Sequence, residues 1–183
     1  ITADAPAIQL GEALLSLFSP GLESPANEML SFESVHGSAV TYRRPSDIFL
    51  DCGDGHTDAY QVFILADAPR SHIAFLIDSG YETLSKAAIL RKWQAQYGAL
   101  SEFRFQLRRK PPLIAAMRGV TAEAEIVSHV YQDGDGTLEV LALIEHALPP
   151  ETQETAQAEY QAVIRSITVK ETQGSRSEGP VVK

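Results

Sequence analysis

Asp51, Asp54, His56 and Asp58 crowd one glycine-bearing loop beside Cys52. Carboxylate oxygens with one imidazole at close spacing are ligand types for a divalent ion. On that reading the chain is a small metal-dependent hydrolase using the 51–58 loop. Tight turns also use Asp and Gly simply for backbone shape. No distant ligand accompanies the four, so the expectation is neither metal nor cofactor. The Asp133-Gly-Asp-Gly136 run resembles the start of a calcium loop. Its twelfth position is Ile144, where a bidentate Glu is required, so it reads as a hairpin corner. Cys52 and His56 could form a nucleophile and base, but Asp51 pushes the thiol pKa up, against thiolate chemistry. There is no G-x-S-x-G, Walker loop or G-x-G-x-x-G. His129 and His146 fall on adjacent expected strands near Glu125 and Glu145, a pattern for a pH-sensitive patch or for plain solvated positions.

The remaining chemistry is charge. Arg104, Arg108, Arg109 and Lys110 surround a strand end before Pro111-Pro112, with Trp93, Phe103 and Phe105 close in sequence. A basic, aromatic edge of this kind grips an acidic partner or anionic lipid heads. It belongs to a wider basic segment, Lys86 to Arg118, in which Glu102 is the only acid. The chain as a whole carries −9. That balance excludes the general phosphate-neutralising surface of a nucleic-acid binder. The expected partner is another protein, held by Arg104, Arg108, Arg109, Lys110 and Trp93, with no catalytic residue.

These residues need a scaffold. A length of 183 residues suits one domain and a core that needs no staples. Apolar residues make up 44%, ordinary for a globular protein. No apolar run approaches the ~20 residues of a membrane span. The single Cys52 makes no internal disulfide. The small, polar opening from Thr2 to Ala7 suits a mature exported protein. We therefore expect a periplasmic or envelope setting, with peripheral membrane contact through a lost N-terminal anchor. The alternative setting is cytoplasmic.

Pattern divides the chain into an extension, 1–28, with a short helix from Ala7 to Phe18; one domain, 29–170; and a mobile tail, 171–183. Met29 to Val35 and Ala39 to Tyr42 read as a hairpin bending at Gly37. Short strands follow at Asp47–Asp51, Ala59–Ala66 and His72–Ile77. Ser79, three residues before Glu82, has capping-box spacing for a helix that Gly98 ends. Phe103 and Phe105 alternate with Arg104 and Gln106, so a strand follows. Strands at 121–131 and 137–145 flank the Asp-Gly corner. Alternation sends Ala124, Ile126 and Val130 to one face, and Glu123, Glu125 and His129 to a face expected to be wet. The second strand is apolar on both sides, hence central and covered twice. Pro150 and Glu151 open a last helix, whose buried stripe is Ala156, Tyr160, Val163, Ile164 and Ile167. Helices set around an antiparallel sheet make an α+β domain.

From Gly119 onward, the strand, the Asp135-Gly136 corner, the apolar strand Leu138–Ile144, the Pro149-Pro150 opening and the closing Ser166-Ile167 resemble the PsbP/DcrB-type family of α/β/α sandwich proteins, to which nuclear-transport GTPase partners also belong. The resemblance implies an antiparallel sheet sandwiched by a mid-chain helix and a C-terminal helix. It implies a non-catalytic protein-binding or assembly module of the bacterial envelope. A cytoplasmic secretion or assembly chaperone of the same fold is the alternative.

Overall fold

Residues 137–145 carry apolar side chains at almost every position, and this strand lies at the centre of the structure. The computed structural model describes residues 28–53, 59–77 and 84–171. Within them the chain forms β1 (Met29–Glu33), β2 (Ser38–Arg43), β3 (Phe49–Asp51), β4 (Ala59–Leu65), β5 (Ala68–Ile77), α1 (Lys86–Tyr97), β6 (Glu102–Lys110), β7 (Leu113–Val120), β8 (Ala124–Asp133), β9 (Gly136–Glu145), α2 (Pro150–Ser166) and β10 (Thr168–Glu171). The helix expected at 7–18 and the tail from 172 lie outside the described residues.

Seven strands form one antiparallel sheet in the order β3-β4-β5-β9-β8-β7-β6. The period of two along β9 sends Leu138, Val140, Ala142 and Ile144 to one face, where they meet Ala156, Tyr160 and Val163 of α2. Leu141 goes to the other face, where Ile89 and Trp93 of α1 cover it with Ile126 and Val130. The domain is thus α+β, with one helix on each face of the sheet. The N-terminal hairpin does not join the large sheet. It pairs with β10 in a separate sheet, β1-β2-β10. The reason is its own alternation: Val40 and Tyr42 turn inward onto the α2 side, and Tyr42 stacks 4.2 Å from Phe75 between ring centroids. Exposing those side chains would forfeit roughly 1.5–3 kcal/mol each.

The Asp-Gly corner is tied to that hairpin. Ser34 donates its hydroxyl to the buried Asp133 at 2.6 Å and accepts the Ser38 amide at 3.0 Å. His36 packs so closely on Gly136 that a Cβ there would overlap its ring. Gly134 holds φ at +57°, a conformation costly for other residues.

Helix α1 starts later than its sequence cue. Ser85, not Ser79, caps it by accepting the Ala88 amide at 3.2 Å. Ser79 and Glu82 lie outside the described residues. Gly98, at φ +85°, ends the helix as expected.

Candidate partner-binding site

Strand β6 closes one side of the large sheet, and among the described residues nothing pairs with its outer edge. It forms because Phe103 and Phe105 alternate with Arg104 and Gln106. The phenylalanines pack towards α1, with Phe103 5.6 Å from Trp93 between centroids. Arg104 and Gln106 therefore point to the face that carries α2. Register then builds two rows across the strands: Arg104–Arg118–Val127 and Gln106–Ala116–His129. Helix α2 does not extend over this end of the sheet. The result is an open groove of about 220 Å³ with an apolar floor and arginine walls.

The charges in the groove are unequal. Arg118 is spent: it donates through Nε to Glu125 and through Nη1 to Glu102 at 3.4 Å. The bond to Glu125 lifts its pKa above the ordinary value. Glu125 is itself held by Gln157 of α2 at 2.9 Å. Arg104 and Arg108 are exposed and, among the described residues, have no ion-pair partner.

His129 ends the groove. Its Nδ1–H donates to the Tyr160 hydroxyl at 2.9 Å, which donates onward to the Val140 carbonyl at 2.9 Å. Burial, and secondarily the nearby Arg108 cation, push its pKa down to about 4. The Tyr160 phenol is raised by burial. At neutral pH the histidine adds no charge, so the excess is Arg104 on the groove, with Arg108 near His129.

The other expected residues are placed as follows. Trp93 is 1% exposed and lies under α1, on the opposite side of the sheet from Arg104; it is a core residue and touches no surface partner. Closeness in sequence does not bring it to the arginines, because α1 covers one face of the sheet while Arg104 leaves β6 by the other. Arg109 and Lys110 end β6, just ahead of the cis Pro111-Pro112 turn. The face expected to be wet around His129 is covered by Tyr160. His129 pairs with Val140, whereas His146 lies beyond Glu145 at the far end of β9, so the two make no cross-strand pair. Asp51 accepts from the Gly53 amide at 2.8 Å and from the Gln61 side chain, as turn residues do. Asp54, His56 and Asp58 lie outside the described residues. Cys52 is exposed, and burial of its sulfur together with Asp51 raises its thiol pKa.

Three features had no clear sequence signal or a faint one. Glu139 is buried beneath α1, accepting the Ser128 hydroxyl at 2.5 Å; a serine and a glutamate at inward positions of two apolar strands were its trace. A hollow of about 430 Å³ beside the end of α1 joins Arg70, His72, Tyr97, Glu123 and Glu145. Arg70 already binds Glu123 at 2.8 Å, and nothing in the spacing foretold it. A further hollow of about 410 Å³ is lined by Asp47, Asp67 and Glu151 at the start of α2. No group of three or more potential metal ligands occurs among the described residues.

An α+β sandwich with a basic, uncovered sheet end is thus the class that fold and site define. No family model and no curated protein matches the chain. Among solved structures it is similar to the solution structure of cyanobacterial PsbP (CyanoP) from Synechocystis sp. PCC 6803, at 14% identity, over 84% of this chain and 99% of that one, with a TM-score of 0.45. That likeness is one of overall architecture, and no residue role passes through it. No described helix is long and apolar enough to cross a membrane.

Proposed function

We propose that this chain is a non-catalytic module that binds an acidic segment of another protein on the β6–β7 end of its large sheet. The observation that carries the reading is the pair Arg104 and Arg108. They stand exposed and without ion pairs among the described residues, on a chain whose net charge is −9. Two guanidiniums at one sheet end, without ion pairs among the described residues and with Arg104 on the groove itself, are the chemistry by which a carboxylate-bearing partner is recognised. The same pattern argues against catalysis there, because His129 is engaged by Tyr160. The bacterial envelope is the setting that goes with this reading. Its support is the resemblance of the 119–167 pattern to PsbP/DcrB-type proteins.

A photo-crosslinking residue at Gln106 tests the site in the native host. An adduct is expected with the otherwise unchanged protein, and its loss is expected in Arg104→Glu/Arg108→Glu. An adduct that persists in the double variant, with its fold verified by circular dichroism, would remove the reading.

A further inference from the structure

Resting on the acidic-segment reading above, we infer that the partner binds as an added β-strand along the outer edge of β6, as an extended segment of about six residues with acidic and apolar side chains in alternation. Three observations meet at this edge. The first is topological. The opposite border of the sheet is β3, three residues long, while β6 runs through nine. Its pairing with β7 is regular from Glu102 to Leu107, and the register shifts only beyond Leu107. An edge strand presents alternate backbone N–H and C=O groups outward, ready to pair with another chain.

The second observation is the side-chain pattern on either side of that edge. Arg104, Gln106 and Arg108 follow one face; Phe103, Phe105 and Leu107 follow the other. Leu107 is 55% exposed. A strand laid beside β6 would continue both faces, because cross-strand neighbours share a face. Its acidic side chains would sit beside Arg104 and Arg108, and its apolar ones beside Phe105 and Leu107. The third observation is charge complementarity, since the two arginines on that face have no ion pair among the described residues.

Basic side chains on an edge strand also serve to repel unwanted pairing. That role alone does not account for an exposed leucine on the same strand. Nor does it account for Arg104 lining a groove with an apolar floor. The arginines select which strand may add: one bearing carboxylates on the matching face.

The probe is a capped heptapeptide alternating Glu and Val, compared with two controls. One has the same composition in two blocks, so the two-faced pattern is lost. The other has the alternating sequence with every second backbone amide N-methylated, in both possible phases. Affinity is read by titration, and hydrogen exchange reads the amides of β6. The alternating peptide is expected to bind and to slow exchange along Glu102–Leu107. N-methylation in one phase is expected to weaken binding at least tenfold, the block peptide several-fold, and Arg104→Glu/Arg108→Glu at least tenfold. If the block and N-methylated peptides bind as well as the alternating one while charge reversal abolishes all binding, the acidic-segment site stands and strand addition is overturned. If no peptide binds at millimolar concentration, strand addition is overturned, and the crosslink at Gln106 separately decides the site.

Discussion

His129 should make this protein lose stability on mild acidification. Its imidazole is held under α2, donating to Tyr160, and its pKa falls from the usual 6.5 to about 4. The larger cause is burial; the cation of Arg108 adds to it. The folded protein thus resists a proton that the unfolded chain accepts. Between pH 6.5 and 4 the unfolded state binds more protons, so stability falls as pH falls through that window. Above 6.5 both states are neutral and nothing is lost. At about 1.4 kcal/mol per pKa unit, the full descent costs at most about 3.5 kcal/mol, about 3 of it by pH 4, a ceiling because the side chain is only half-buried. Urea denaturation from pH 7.5 to 4, on wild type and His129→Asn, isolates this contribution, because other titrating groups are common to both. The variant should be the less stable protein at pH 7.5, having lost packing against Tyr160. Its disadvantage should then shrink by up to about 3 kcal/mol by pH 4. Curves that stay parallel would refute the argument, as would an imidazole that titrates near 6.5 by NMR. Arg108→Gln should raise the His129 pKa yet leave it below the usual value, since burial remains.

Two further substitutions probe how the layers are joined. A Cβ at Gly119 would lie 2.9 Å from two Trp93 ring carbons and 3.2 Å from Leu100. Gly119→Ala should therefore cost about 1–3 kcal/mol and shift the fluorescence of the protein's single tryptophan; an unperturbed spectrum and midpoint would show that α1 does not rest on β7 there. Ser34→Ala removes the donor to buried Asp133 and should cost about 1–3 kcal/mol in chemical denaturation, an unchanged midpoint counting against the hairpin–corner tie.

Periodicity made the last third of the chain legible. The apolar run Val140–Ile144 of β9 required cover on both faces, and the stripe on α2 supplied one cover. The start of α1 was not legible, because Ser79 and Glu82 satisfy the spacing of a cap that Ser85 in fact provides. The basic end of β6 was visible as charge, but its geometry was not. A period of two tells which residues share a face; it does not tell which face a helix will occupy. Trp93 and His129 were misplaced by that same gap. Trp93 lies close in sequence to cations that leave the strand on the other side, and the alternation that points His129 to water does not show Tyr160, far along the chain, which lies over it.

The placement of α2 also explains why positive charge survives only at the rim. Moving inward from β6, Arg104 has no ion pair among the described residues and Arg118 is paired. The acid that pairs Arg118, Glu125, is fixed by Gln157 from the helix. Beneath the helix the histidine stays neutral because burial makes its charged form expensive. Each step toward α2 therefore removes a charge, by pairing or by suppressed protonation. A single docked helix thus turns a basic stretch of sequence into a graded surface, apolar and neutral where covered, cationic where the sheet still has an edge to offer. On the large sheet, a partner that needs both a backbone to pair with and a cation to bind finds the two together along β6.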